Sequence, residues 1–115
     1  MKRRNKFGNV ATVVDGIRFD SKAEAKRYGE LRILERAGEI TGLTCQPKFE
    51  IVVLGKKVAT YRGDFQYRDA AAHRTVIEDV KGVQTEAFKI KWALLQTLYP
   101  NIAWRIVPAK NVRPS

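Results

Sequence analysis

The segment Ile77-Glu-Asp-Val-Lys-Gly82 places an acid and a lysine on a predicted strand that is otherwise rich in Val and Ile. Side chains alternate along a strand, so Asp79 and Lys81 share one face and lie about 6.6 Å apart along it. Burying a charge is costly unless the charge is paired or binds a metal ion. A structural Asp–Lys ion pair explains this tripeptide on its own, and only further acids nearby would indicate a catalytic site.

A second acid, Asp64, lies on the preceding predicted strand. The residues around it alternate, with an aromatic face of Tyr61, Phe65 and Tyr67 and a polar face of Arg62, Asp64, Gln66 and Arg68. If the two strands pair through a loop at 69–73, Asp64 lies beside Asp79. Carboxylates this close repel each other unless a cation joins them. The chain has one His and one Cys, so oxygen ligands would hold that cation, which favours magnesium or manganese over zinc.

Glu24 is a third candidate acid. It shares the core-facing stripe of a predicted helix with Tyr28 and Leu31, which follow at helical spacing. Ser21, three residues before Glu24, also fits a capping box at the start of that helix. The two roles are compatible, because a capping glutamate is already held at the inner end of the helix.

The hydrophobic pattern predicts the elements that position these acids. It predicts a hairpin around Asp15-Gly16, a helix from Ser21 to Gly38, a connection at 39–46, strands at 49–54, 58–68 and 75–81, a helix at 85–98, and a last strand at 102–107. This order predicts an α/β fold, a single-domain sandwich over residues 10–115 in which helices flank one mixed central sheet.

The chain also carries a large excess of positive charge. Its 115 residues include 22 Lys and Arg against 12 Asp and Glu, a net charge of +10. Nucleic acid is the commonest large polyanion inside a cell, so this excess favours a nucleic-acid partner. Residues 1–9 are predicted to be a flexible basic arm whose cations are Lys2, Arg3, Arg4 and Lys6.

Composition excludes several other classes of protein. A hydrophobic content of 44% is too high for wholesale disorder, and no apolar run approaches the roughly 20 residues of a membrane span. The single cysteine, Cys45, excludes an internal disulfide framework and a multi-cysteine zinc site, and it favours a reducing, cytoplasmic location. Cys45 is predicted to be a small core residue, and His73 an exposed loop residue.

Taken together in order, these motifs resemble the PD-(D/E)XK nuclease superfamily. The matching segments are Phe19-Asp-Ser-Lys-Ala-Glu24, Gln46-Pro47, Gly63-Asp-Phe65 and Glu78-Asp-Val-Lys-Gly82. The pattern is most similar to a small phage-encoded branch that includes junction-resolving endonucleases, and it covers roughly residues 17 to 95. Each motif is loose, and the order and spacing make the match specific.

The resemblance implies a restriction-endonuclease-like fold and a role for each site residue. Asp64 would ligate the metal, Asp79 would fill the D/E position, and Glu24 would help to hold the ion directly or through water. The Val80 carbonyl would complete the ligands, and Lys81 would orient the attacking water. Gln46 would be an accessory polar residue at the site. In this chain Gly63 stands where the family has proline, and Glu78 is an alternative ligand that strand alternation argues against.

The function implied is a Mg²⁺- or Mn²⁺-dependent DNA endonuclease. The expected substrate is branched DNA, such as a Holliday junction or fork. A homodimer would cut it during phage replication or recombination, in the host bacterial cytoplasm. Phosphate contacts are expected from the basic arm, from Arg62 and Arg68, and from Thr85 and Lys89 at the start of the second helix. Lys91 fits either a phosphate contact or a solvated helix face.

Two other functions fit the same sequence. The charge excess is larger than a catalytic site needs, which suits a non-catalytic DNA- or RNA-binding protein that keeps the nuclease fold. A basic structural protein with a chance motif is the third candidate, and it would lack salt-dependent DNA binding.

Overall fold

A computed structural model describes residues 10–111. Its elements are β1 (Thr12–Val14), β2 (Ile17–Phe19), α1 (Lys22–Arg36), β3 (Ile40–Cys45), β4 (Lys48–Val53), β5 (Lys56–Arg62), β6 (Phe65–Asp69), β7 (Arg74–Lys81), α2 (Glu86–Leu98), β8 (Ala103–Pro108) and a short 3₁₀ turn at Ala109–Asn111.

The central sheet has four strands in the order β3-β6-β7-β8. β3, β6 and β7 are antiparallel neighbours, whereas β8 runs parallel to β7. A parallel pair needs a crossover, and α2 supplies it between β7 and β8. The mixed sheet flanked by helices confirms the predicted α/β sandwich.

The alternation of β7 divides the core into two layers. On one face, Val76 and Val80 pack with Leu31 of α1 and with the aromatic rings of β6. On the other face, Ile77 packs with Trp92 of α2 and with the hairpin of β4 and β5. β7 is therefore buried on both sides, which fixes the orientation of every side chain on it.

The segment predicted as a connection at 39–46 is instead the edge strand β3, so that prediction was wrong. β3 pairs with β6 from Ile40 opposite Asp69 to Cys45 opposite Phe65, and its register shifts between Thr41 and Thr44. Gly42 adopts a φ of +65° within that irregularity. The bulge breaks the period-2 alternation that marks a strand in sequence.

The single strand predicted at 58–68 is two strands. β5 pairs with β4, and β6 pairs with β3 and β7, so the chain changes sheets at Gly63-Asp64. A Cβ on Gly63 would lie 3.2 Å from Ile77 Cγ2 and 3.3 Å from the Tyr61 ring. Glycine therefore permits the chain to pass close to Ile77 of β7 where β5 ends and β6 begins.

Local signals in the sequence are confirmed at the ends of the elements. Asp15 and Gly16 have φ values of +53° and +76°, as a tight hairpin requires. Ser21 and Thr85 cap α1 and α2 through their hydroxyl oxygens, and Gly38 follows α1 with a φ of +79°. The β4–β5 turn is centred on Leu54-Gly55, which have φ values of +50° and +79°.

Neither helix in residues 10–111 has the length and apolar character needed to cross a membrane. Two single-residue predictions can also be placed. His73 is exposed in the β6–β7 turn, as expected, and Cys45 packs against the α1-side core, where burial raises the pKa of its thiol.

Candidate active site

Asp79 is a buried acid on the face of β7 that α2 and the β4–β5 hairpin cover. It is 3% exposed, and the Tyr61 hydroxyl donates a hydrogen bond of 2.5 Å to its Oδ2. Burial and the neighbouring Asp79 raise the pKa of Tyr61, so this hydroxyl stays protonated as a donor. Lys81 Nζ lies 3.6 Å from Asp79 Oδ1. The predicted sharing of one strand face by Asp79 and Lys81 is confirmed.

Asp64 occupies the position where β6 begins beside β7. Its backbone N–H donates to the Glu78 carbonyl at 3.0 Å, and its carboxylate Oδ2 accepts from the Val80 N–H at 2.6 Å. These bonds place the Asp64 side chain beside Asp79, close enough for the charge of Asp79 to raise the pKa of Asp64, as the strand pairing predicted. The N–H and C=O of a strand residue point to the same side, so the Val80 carbonyl also faces Asp64.

Glu24 approaches this pair from the first turn of α1. One of the two hydrogen bonds of the predicted capping box is present: Glu24 N–H donates to Ser21 Oγ at 3.1 Å. The reciprocal bond differs, because the Glu24 carboxylate accepts from the Asp20 N–H, at 3.3 Å, rather than from the Ser21 N–H. Burial raises the pKa of Glu24, and the charge of Asp79 raises it further. Glu24 therefore interacts electrostatically with the acid pair while it caps its helix.

The three acids destabilise one another as anions. Burial, followed by the charges of Glu24 and Asp79, raises the pKa of Asp64 to about 8. Burial also raises the pKa of Asp79, although its bonds from Tyr61 and Lys81 act in the opposite direction. Near neutral pH this cluster holds a proton that a cation would replace.

Lys81 stands at the open side of the cluster. Its side chain is 32% exposed, and Nζ lies 4.5 Å from the centre of the Phe88 ring. A cation over an aromatic face is held electrostatically while it remains open to solvent. Lys81 can therefore reach both Asp79 and an anion that arrives from solvent.

The donor set at this site consists of oxygen atoms. Within residues 10–111, no three His, Cys, Asp or Glu side chains are grouped closely enough to hold a metal ion as they stand. Asp64, Asp79 and the Val80 carbonyl supply oxygen ligands, and Glu24 stands beside them. Magnesium keeps several waters in its coordination shell, so Glu24 would act on the ion through water. The chemistry of the donors fits Mg²⁺ or Mn²⁺.

Glu78, the alternative ligand, belongs to a different set of contacts. It is fully buried on the α1 side of β7 and accepts two hydrogen bonds from Arg27, at 2.8 and 2.7 Å. Tyr67 donates to the same carboxylate, and Arg105 Nη1 lies 3.8 Å from it. Glu78 in turn raises the pKa of Arg27. Strand alternation correctly excluded Glu78 from the acid cluster.

The residues predicted to contact DNA differ in their exposure and in their contacts within the protein. Arg62 is exposed close to the cluster, and Arg68 is exposed farther along β6. Lys89 is exposed and lies 3.5 Å from Glu86, whereas Thr85 uses its oxygen to cap α2, accepting from Phe88 N–H at 3.1 Å. Lys91 donates to the Thr60 carbonyl at 3.3 Å. The basic-arm cations Lys2, Arg3, Arg4 and Lys6 lie outside the described residues.

Gln46 has a structural contact that the sequence did not reveal. Its side-chain amide donates to the Arg18 carbonyl of β2 at 2.8 Å, and its backbone N–H donates to the Asp64 carbonyl at 2.8 Å. Gln46 has a φ of +58°. It therefore ties the β1–β2 hairpin to the segment that carries Asp64.

The fold and the site define a class of protein: a single-domain α/β protein whose central strand ends in a buried aspartate and a lysine, with a second, half-buried aspartate beside them. The chain belongs to the family described as "Protein of unknown function (DUF1064)", whose model matches residues 4–112. No curated protein and no solved structure matches the chain. The acid cluster and Lys81 lie within the part of the chain that the family model covers.

Proposed function

We propose that this protein is a magnesium- or manganese-dependent DNA endonuclease of the PD-(D/E)XK type. The observation that carries the proposal is the half-buried Asp64, whose pKa is raised to about 8, beside the buried Asp79, which shares a strand face with Lys81. A protein that keeps acids in so unfavourable an arrangement gains from it when the acids bind a cation.

The chain's own residues would divide the work of phosphodiester hydrolysis. Asp64, Asp79 and the Val80 carbonyl would hold the ion, with Glu24 acting through water. A bound divalent ion supplies charge neutralisation and lowers the pKa of an attacking water. Tyr61 fixes the orientation of Asp79 through its 2.5 Å bond.

Lys81 would act on the phosphate itself. Its ammonium group is exposed enough to meet the substrate and is held between Asp79 and the Phe88 ring. A fixed positive charge there would stabilise the negative charge that gathers on the phosphate in the transition state.

The surface charge supports DNA as the substrate. A net charge of +10 on 115 residues favours a polyanion. So small a protein covers about one turn of duplex, so a homodimer that makes paired cuts in branched DNA during phage replication or recombination fits its size. In that setting the protein would act in the cytoplasm of a bacterial host.

The test is cleavage of a substrate panel of Holliday junction, fork, flap, linear duplex and single strand, with Mg²⁺, Mn²⁺ or EDTA. We expect cleavage with either metal and none with EDTA. Asp79→Asn and Lys81→Ala should each lower the rate by at least about 100-fold while DNA binding persists, because these side chains act on the reacting groups. Glu39→Gln, an exposed acid, is the matched control. Cleavage at the wild-type rate by an Asp79→Asn/Lys81→Ala double variant would refute the proposal.

A non-catalytic nucleic-acid-binding protein is the second candidate function. It is favoured by the charge excess, because a net charge of +10 on 115 residues is larger than a catalytic site needs. This function predicts that alanine at Asp64 or Asp79 leaves the cellular activity intact. Charge reversal of Lys2, Arg3 and Arg4 should then abolish it.

A further inference from the structure

Two arginines share one aspartate at the edge of the acid cluster. Arg18 Nη1 lies 2.8 Å from Asp20 Oδ1, and Arg62 Nη2 lies 3.9 Å from Asp20 Oδ2. All three side chains are about half exposed, at 57%, 54% and 52% for Arg18, Arg62 and Asp20. Exposed ion pairs of this kind contribute about 0–1 kcal/mol to stability, so folding alone does not account for the arrangement.

Backbone contacts fix this trio beside the catalytic acids. The Asp20 N–H donates to the Glu24 carboxylate at 3.3 Å, and Arg62 is separated from Asp64 by Gly63 alone. On the other side, Gln46 joins the Arg18 carbonyl to the Asp64 carbonyl through two 2.8 Å bonds. Both arginines are therefore attached to the segments that hold Glu24 and Asp64.

The two arginines, Arg18 and Arg62, can exchange the Asp20 carboxylate for a phosphate group. A guanidinium binds phosphate oxygens in the same forked geometry that it uses for a carboxylate. Asp20 is exposed, so it can leave the two guanidinium groups without uncovering a buried charge. A phosphate of the nucleic-acid backbone could then take its place.

We propose that Arg18 and Arg62 bind a backbone phosphate adjacent to the one that is cut, and that Asp20 occupies this site in the free protein. This phosphate site rests on the proposed function, since it assigns a second phosphate of the same substrate. Arg18 and Arg62 position the DNA, and Asp20 competes with it.

The proposal predicts effects of opposite sign within the trio. Removing the competing anion with Asp20→Asn should tighten DNA binding. Arg18→Ala and Arg62→Ala should each weaken binding and lower the slope of log affinity against log salt by up to about 1, the contribution of one phosphate contact. In the Arg18→Ala/Arg62→Ala background, Asp20→Asn should lose most of its effect.

The experiment measures fluorescence anisotropy of a labelled 30-base-pair duplex, titrated with the full chain in EDTA so that no cleavage occurs. Glu39→Gln removes one exposed negative charge elsewhere and gives the effect of net charge alone. Arg36→Ala, in the last turn of α1, is the matched control for the arginines. We expect Asp20→Asn to tighten binding by at least about threefold more than Glu39→Gln, a difference near 0.6 kcal/mol.

Equal affinities for Asp20→Asn and Glu39→Gln would overturn the phosphate site. An equal effect of Asp20→Asn with and without the two arginines would also overturn it. If the wild-type chain binds no DNA at all, the proposed function fails first, and the two failures are therefore distinguishable. Thermal melting of every variant shows whether a loss of binding reflects unfolding.

Discussion

At the scale of single residues, the Asp64 carboxylate is strongly disfavoured as an anion. Burial and two neighbouring acids raise its pKa from an ordinary value of 3.8 to about 8. The Asp64 carboxyl group therefore prefers its protonated form in the folded protein, although it accepts a hydrogen bond from Val80 N–H. Either a proton or a bound cation can neutralise its charge. A bound cation would let the carboxylate ionise at neutral pH.

The raised pKa of Asp64 predicts how stability depends on pH. The folded protein binds this proton more tightly than the unfolded chain does. Its contribution to stability is therefore complete below about pH 4 and is lost as the pH rises towards 8. We expect the melting temperature of the metal-free protein to fall between pH 5 and pH 8, with a smaller fall in Asp64→Asn.

Glu39→Gln serves as the control for this measurement because Glu39 is exposed. Its melting temperature should follow the wild-type slope over the same pH range. If Asp64→Asn and the wild-type protein lose stability in parallel, the Asp64 carboxyl group does not carry the raised pKa.

At the scale of elements, β7 holds two charged systems apart. Asp79 and Lys81 face the β4–β5 hairpin and α2, and Glu78 faces Arg27 of α1. The Glu78 carboxylate is fully buried and is bonded by Arg27 and Tyr67. Rotating β7 would break these contacts and leave buried charges unpaired, which costs about 3–5 kcal/mol. The Glu78 contacts therefore keep Asp79 aimed at the acid cluster.

The β4–β5 turn places a leucine in a left-handed backbone conformation and exposes its apolar side chain to solvent. Leu54 has a φ of +50° and is fully exposed at 102%. Asparagine tolerates the left-handed region better than leucine does, and Asn-Gly is a preferred pair in such turns. We expect Leu54→Asn to raise the free energy of unfolding by about 1 kcal/mol, or the melting temperature by about 4 °C.

Val83→Asn is the matched control for the turn. Val83 is 71% exposed and does not have a positive φ, so asparagine should bring no gain there. A Leu54→Asn variant no more stable than Val83→Asn would contradict the strain inferred at the turn.

The sequence predicted those parts of the fold that depend on neighbours in the chain. Asp15-Gly16, the Ser21 cap and the alternation of β7 are local signals, and each was sufficient to place its element. The shared face of Asp79 and Lys81 followed from that alternation alone.

The parts that sequence reasoning missed depend on partners far away in the chain. Whether residues 40–45 form a strand is decided by β6, and the break at Gly63 is decided by the approach of Ile77. The buried partners of Glu78 and the Arg62–Asp20 contact join segments whose pairing has no local signature.

At the scale of the whole molecule, net charge governs how the protein would meet DNA. Each phosphate contact made by a Lys or Arg releases counterions, so affinity falls steeply with salt. Replacing Lys2, Arg3 and Arg4 together with Gln should lower the slope of log affinity against log salt by up to about 2.7. A salt titration of duplex binding by anisotropy measures this slope.

Arg36→Gln is the control for the basic arm, because it removes a cation at the opposite end of α1 from Glu24. That distance is about 18 Å along the helix, so Arg36→Gln should leave the slope near the wild-type value. An unchanged slope in the triple variant would show that the arm makes no phosphate contacts.

The central claim is that Asp64 and Asp79 bind a divalent cation, and calorimetric titration of Mn²⁺ into the metal-free protein at pH 7 tests it most directly. Titrations in two buffers of different ionisation enthalpy should show binding with release of about one proton, as Asp64 exchanges its proton for the ion. Glu39→Gln should behave like the wild-type protein, and Asp64→Asn should bind more weakly without releasing the proton. Absence of Mn²⁺ binding by the wild-type protein, or identical titrations for the wild-type protein and an Asp64→Asn/Asp79→Asn variant, would contradict the account.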